Sequence, residues 1–133
     1  MKQAISSIGG VLCSLLFYLF GNYDMPLSVL LTCMALDFVT GLIAAGITGG
    51  KSGTKICSDK AFKGILKKIL ILVLVILANV FGILSNIPVL RNTVITALIL
   101  TEGLSIIENV IASGVTVPQK LKDLFLQKGE QNE

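Results

Sequence analysis

The chain has 133 residues, 53% of them hydrophobic and 14% charged, with a formal net charge of +3 and a mean hydropathy of +0.86. These values exclude an ordinary soluble domain and describe a small membrane protein. There is no His or Trp, the three cysteines lack metal-ligand spacing, and neither a nucleophile–base pair nor a glycine-rich phosphate loop occurs, so no enzyme activity, metal or cofactor is expected.

The first apolar run, about Ala4 to Phe20, has no small-residue cleavage site followed by a polar domain. It is expected to stay in the membrane as a span. Ser7, Gly10, Ser14 and Gly21 fall on one stripe, where short side chains let another helix come close. Gly21 to Pro26 is a turn with one acid and no Lys or Arg, and Pro26 suits the start of a helix.

The second predicted span, Leu27 to about Gly50, carries Asp37 near its centre. At about 100° per residue, Cys33, Asp37, Thr40, Gly41, Ala44 and Thr48 share a face. An intramembrane carboxylate marks a functional site by default, though a neutral acid bonded to a neighbouring helix gives the same pattern. Gly41, Ala45 and Gly49 form a second small-residue row for helix packing.

Residues 51–68 read as a basic loop, in which Lys51, Lys55, Lys60, Lys63, Lys67 and Lys68 oppose only Asp59. The positive-inside rule makes this loop cytoplasmic, and the same lysines suit anionic lipid headgroups. Because they adjoin apolar spans, nucleic acid is not an expected partner. A third span follows at about 69–87, almost uniformly aliphatic, then a short external turn around Pro88 containing Arg91.

The fourth span, Thr93 to Ser113, is amphipathic. Thr101, Glu102, Ser105, Glu108 and Asn109 fall in an arc of roughly 140°, opposite Ile99, Leu100, Ile107 and Ile111. Its ten aliphatic residues contribute roughly −3 to −6 kcal/mol to insertion, and each central carboxylate costs about 2.5–3.5. Alone in lipid the helix sits near zero, so it needs other helices or water against its acidic face. Lys67, Lys68 and Arg91 fall near predicted span ends, so no base is expected at the depth of Glu102. After Gly114, residues 117–128 read as a short amphipathic helix at the membrane surface. Lys2, the loop lysines and the tail lysines lie on one side and Arg91 alone on the other. The expected fold is therefore an all-α, single-domain membrane protein with four transmembrane helices, both termini cytoplasmic, and the interfacial tail helix.

Asp37-Phe38-Val39-Thr40-Gly41, Phe62-Lys63-Gly64-Ile65-Leu66-Lys67-Lys68 and Glu102-Gly103-Leu104-Ser105-Ile106-Ile107-Glu108-Asn109, followed by Gly114 and Val117-Pro118, resemble the phage holins of the toxin-secretion/phage-lysis type. The resemblance runs from about Leu31 to Leu126. Many such proteins carry a Ser-Gly-Phe-type motif in the basic loop, which Ser58-Asp59-Lys60-Ala61-Phe62 replaces here. The resemblance implies a protein of the bacterial cytoplasmic membrane that associates with itself and opens lesions. The cargo released would be an endolysin or a toxin without a signal peptide. A chain this short encloses no protein-sized pore alone, so many copies would line it. Asp37, Thr40, Glu102, Ser105, Glu108 and Asn109 are the expected lumen groups. A small proton-coupled transporter using Asp37 and Glu102, or a non-catalytic assembly subunit, are the alternatives. The transporter would call for aromatic residues beside the acids and an inverted repeat, and neither is evident.

Overall fold

A computed structural model describes residues 2–48, 53–120 and 123. Four helices account for most of them: α1 (Lys2–Phe20), α2 (Met25–Thr48), α3 (Gly53–Leu84) and α4 (Val89–Ala112). Among the described residues three stretches are long and apolar enough to cross a membrane: Met25–Thr48, Ala61–Leu84 and Val89–Ala112. The protein is a multi-pass membrane protein. The apolar part of α1, Ser7–Phe20, is shorter than these and below the roughly 20 residues that span a bilayer upright.

The third element departs most from expectation. The stretch read as a basic loop up to residue 68 is helical from Gly53 on, so α3 is 32 residues long and its apolar part starts at Ala61. No Pro interrupts residues 53–68, and Lys, Ala, Leu and Ile there propagate a helix well. The consequence is that Lys67 and Lys68 lie inside a candidate span rather than before one. The fourth helix likewise starts at Val89, ahead of the expected Thr93. Of the expected tail helix, residues 119, 120 and 123 are helical, and the remainder of 121–128 lies outside the described residues. Lys51 and Gly49 lie outside them too.

Helix ends follow from local chemistry. The backbone N–H of Leu27 donates to Asp24 Oδ1 at 3.2 Å, and that of Ser28 donates to the Asp24 carbonyl at 3.0 Å. Asp24 therefore caps α2, with Pro26 in its first turn. At the other end of the chain α4 stops at Gly114, whose φ of +87° places it in the left-handed region. The N–H groups of Gly114 and Val115 close onto the carbonyls of Ile111 and Val110.

Helices α2, α3 and α4 pack around Leu27, Leu30, Met34, Ile71, Val75 and Ile95, with Phe20, Leu72, Leu98 and Ile99 against that core. Helix α1 stands apart, with Ser7 to Tyr18 exposed. Beyond Phe20, what holds it is polar. Asn79 Nδ2 donates to the carbonyls of Tyr18 and Leu19, both at 3.0 Å, and Arg91 Nε donates to that of Phe20 at 2.7 Å. These carbonyls end a helix and have no partner within it. Gly21 (φ +74°) makes the turn, and a Cβ there would come within 2.8 Å of Asn79 Oδ1 and 3.0 Å of Arg91 Nε.

Arg91 has every guanidinium N–H committed, adding Asp24 Oδ2 at 2.7 Å, Asp24 Oδ1 at 3.2 Å, Asn92 Oδ1 at 3.0 Å and the Asn22 carbonyl at 2.9 Å. Its hydrogen bonds hold the Asp24 carboxyl below the usual 3.8, against the opposing effect of burial. A lowered carboxylate stabilises the fold above its ordinary range, and that contribution disappears as pH falls through the folded value. Thermal unfolding in detergent should therefore lose stability below about pH 4, and Asp24→Asn should lose less over the same interval. Equal pH dependence in the two proteins would remove Asp24 as the cause.

Candidate functional site

One base, Lys68, meets both carboxylates that lie near the middle of a span. Asp37 lies 11 residues from the Thr48 end of α2 and Glu102 lies 10 from the Ala112 end of α4, while Lys68 enters from α3 seven residues past Ala61. At 1.5 Å per residue these depths are about 16, 15 and 10 Å, and the lysine stem spans the difference. Lys68 Nζ donates to Asp37 Oδ2 at 2.5 Å and also to Glu102 Oε2. The side chains of Lys68, Asp37 and Glu102 are 14%, 11% and 0% exposed. One buried ammonium therefore ties α2, α3 and α4 together.

The expectation that no base reaches Glu102 is thereby overturned. The reason is the early start of α3, which draws Lys68 into the packed bundle, where it can only point between its neighbours. Around this core, Asn109 Nδ2 donates to Asp37 Oδ1 at 3.2 Å, to the Asp37 carbonyl at 3.3 Å and to Thr40 Oγ1 at 3.3 Å. Asp37 is thus held from α3 and α4 at once. Among the described residues Glu102 Oε1 has no hydrogen-bond partner, and Lys67 Nζ lies 3.8 Å from it, on a side chain 50% exposed. A crevice of about 290 Å³ lies against this cluster, lined by Asp37, Gly41, Lys67, Ser105 and Asn109 and bounded by Thr48, Ala61 and Ala112 at the basic end of the bundle.

Comparison with known proteins places the sequence in a family. The model for the bacteriophage holin family matches residues 14–128. The chain belongs to the bacteriophage holin family. Its relatives include an uncharacterised protein of Listeria monocytogenes, 38% identical over 121 residues that cover 87% of this chain and 83% of that protein. An uncharacterised 14.9 kDa protein in the nagH 3′ region of Clostridium perfringens is 37% identical over 129 residues, covering 96% and 91%. One from Bacillus subtilis is 36% identical over 107 residues, covering 80% and 72%. No solved structure matches the chain.

In this holin-family chain the polar arc of α4 is divided. Glu102 is buried and Asn109 turns inward, Ser105 lines the crevice, and Thr101 and Glu108 are exposed on the outside. On α2, Asp37 is buried and Thr40 is part-buried, with its hydroxyl donating to the Leu36 carbonyl at 2.9 Å. A Cβ on Gly41 would sit 3.5 Å from Asn109 Nδ2, and Ala45 is 1% exposed, so Gly41 and Ala45 pack α2 against its neighbours within one copy. Gly10 has open space around it and Ser14 bonds back to the Gly10 carbonyl at 2.9 Å. Lys63 and Lys67 are exposed.

Sequence reasoning named Lys68 and Arg91 for topology but missed their buried partners, and it gave Asn79 no role. Lys68 was legible only through the length of α3. Arg91 and Asp24 carried a signal, being the lone base and the lone acid of two turns expected on the same side.

Proposed function

We propose that this protein accumulates in the bacterial cytoplasmic membrane, associates with itself and opens lesions through which an endolysin, or a toxin without a signal peptide, leaves the cell. The arrangement we favour has four spans with both termini in the cytoplasm. The observation that carries the reading is the outward side of α4. Between Leu90 and Ala112 no large apolar side chain is exposed, whereas α2 and α3 expose rows of Val, Ile and Leu. What α4 turns outward is Thr93, Thr96, Ala97, Thr101 and Glu108. Lipid is a poor cover for that face, since a carboxylate facing hydrocarbon costs up to about 2.5–3.5 kcal/mol, less near the interface. Other copies or water suit it.

On this reading the resting bundle keeps Asp37, Glu102 and Asn109 dry around Lys68. Opening would separate the helices and exchange those contacts for water, so the same groups would then line the lesion with Thr40, Ser105 and Glu108.

Expression of the chain alone in a bacterium, with a potential-sensitive dye, tests the function. Abrupt depolarisation after a lag, with release of a co-expressed endolysin, is expected. Steady growth with resistance to a cationic compound would instead indicate the transporter. Orientation is checked at Cys57, which should stay unlabelled by an impermeant thiol reagent in intact cells before depolarisation. Labelling at that stage would overturn the topology.

A further inference from the structure

The outward face of α4 is short as well as polar. The hydroxyls of Thr93, Thr96 and Thr101 donate to the carbonyls of Val89, Asn92 and Ala97 at 3.0, 2.8 and 3.0 Å. Bonded back to their own helix, they ask nothing of water and leave a shallow groove along Thr93, Ala97 and Thr101, the kind of surface on which membrane helices approach closely. Glu108 is the exception, an exposed carboxylate on the same side with no partner among the described residues.

Helix α3 carries the complement. Lys63, Leu66, Leu70, Leu74 and Leu77 recur at three- and four-residue steps, all exposed, and make one ridge with a single base at its end. Lys63 has no partner among the described residues either. Depths agree. Within one copy Gly82 lies beside Leu90 and Lys68 beside Glu102. The same register puts Leu70 level with Thr101 and Lys63 level with Glu108. Ridge and groove also flank one seam, because an apolar recess is lined jointly by Leu74, Leu77 and Phe81 of α3 and Leu90 and Val94 of α4.

We infer that in the resting membrane this facet is covered by a second copy of the chain, the Leu66–Leu77 ridge of each α3 seated in the other's α4 groove and each Glu108 paired with the Lys63 facing it. A two-fold axis along the membrane normal produces both contacts at once, as isologous interfaces do. The inference rests on the self-association in the function proposed above and names the surface that forms it. Charge sets the register and rejects misaligned copies.

The test uses a chain with Cys13, Cys33 and Cys57 replaced by Ala. Two differently tagged copies, one Leu70→Cys and one Thr101→Cys, are expressed together and oxidised in membranes before any depolarisation. A disulfide between the two tags is expected, at least about tenfold above either variant oxidised alone. Glu108→Lys or Lys63→Glu in both copies should each lower that product about tenfold, and the two combined should restore it. The inference is overturned if Thr101→Cys pairs mainly with itself, or if charge reversal leaves the disulfide unchanged. Because the readout precedes lesion formation, disulfides without later depolarisation sink the holin function and keep the interface. Normal depolarisation without the disulfide sinks the interface alone.

Discussion

Lys68→Met is expected to cost the resting bundle about 3–5 kcal/mol, because it leaves Asp37 and Glu102 buried without the one cation that serves both. Methionine fills similar space, so the loss is electrostatic rather than a cavity. Coulomb attraction alone does not set the size. Taking three charged groups from water carries a large penalty, and the native pairing offsets it only while it is complete. The prediction therefore has a second half. Lys68→Met combined with Asp37→Asn and Glu102→Gln should recover most of the loss, since a neutral, hydrogen-bonded cluster requires no counter-charge. Thermal or denaturant unfolding of the detergent-solubilised protein measures both. If Lys68→Met is as stable as the parent, or if the triple variant is no better than Lys68→Met, the cluster does not stitch α2, α3 and α4 together.

Much of this arrangement could be read in the residues, and the failures share a cause. Long apolar runs bounded by Gly, Pro and Asn announce membrane helices, and Asp37 and Glu102 stand out because carboxylates are costly in the middle of such runs. Periodicity also put Glu102 and Asn109 on one face of α4, and they do turn the same way, toward Asp37 and Lys68. What the pattern could not supply was the direction of that face. A polar arc is equally consistent with a wet lumen and with a partner bringing the opposite charge. The partner was hidden because Lys67 and Lys68 read as the end of a basic loop. Charge density there hides the helix: no Pro interrupts residues 53–68, and α3 runs on through Gly64. The same limit applies to Arg91 and Asn79. The charges of Arg91 and Asp24 hinted at their pairing, but the hold of Arg91 and Asn79 on α1 appears only once the carbonyls ending that helix are brought beside them.

Glu102 decides whether this cluster is a latch or only a structural tie. Glu102→Gln keeps the side chain's shape and removes its charge. Lys68 would retain Asp37, so the three-residue site goes from one ammonium against two carboxylates to a neutral pair and stays folded, but a charge-assisted hydrogen bond worth about 1.5–3 kcal/mol is lost from the resting state. If opening must break that bond, the ratio of opened to resting protein rises by about 10- to 100-fold at one decade per 1.4 kcal/mol. Depolarisation should then come early at equal protein level. Glu102→Leu also removes the bond, yet it leaves nothing for water to solvate once the helices part. It should therefore insert and associate but fail to form lesions. The two variants separate two roles for one carboxylate: closing the dry bundle through Lys68 and lining the wet opening without it. Unchanged timing in Glu102→Gln would rule out the latch. Lesions on the normal schedule in Glu102→Leu would show that Glu102 faces no water in the opened state, and the lumen would have to be sought on the Glu108 side of α4.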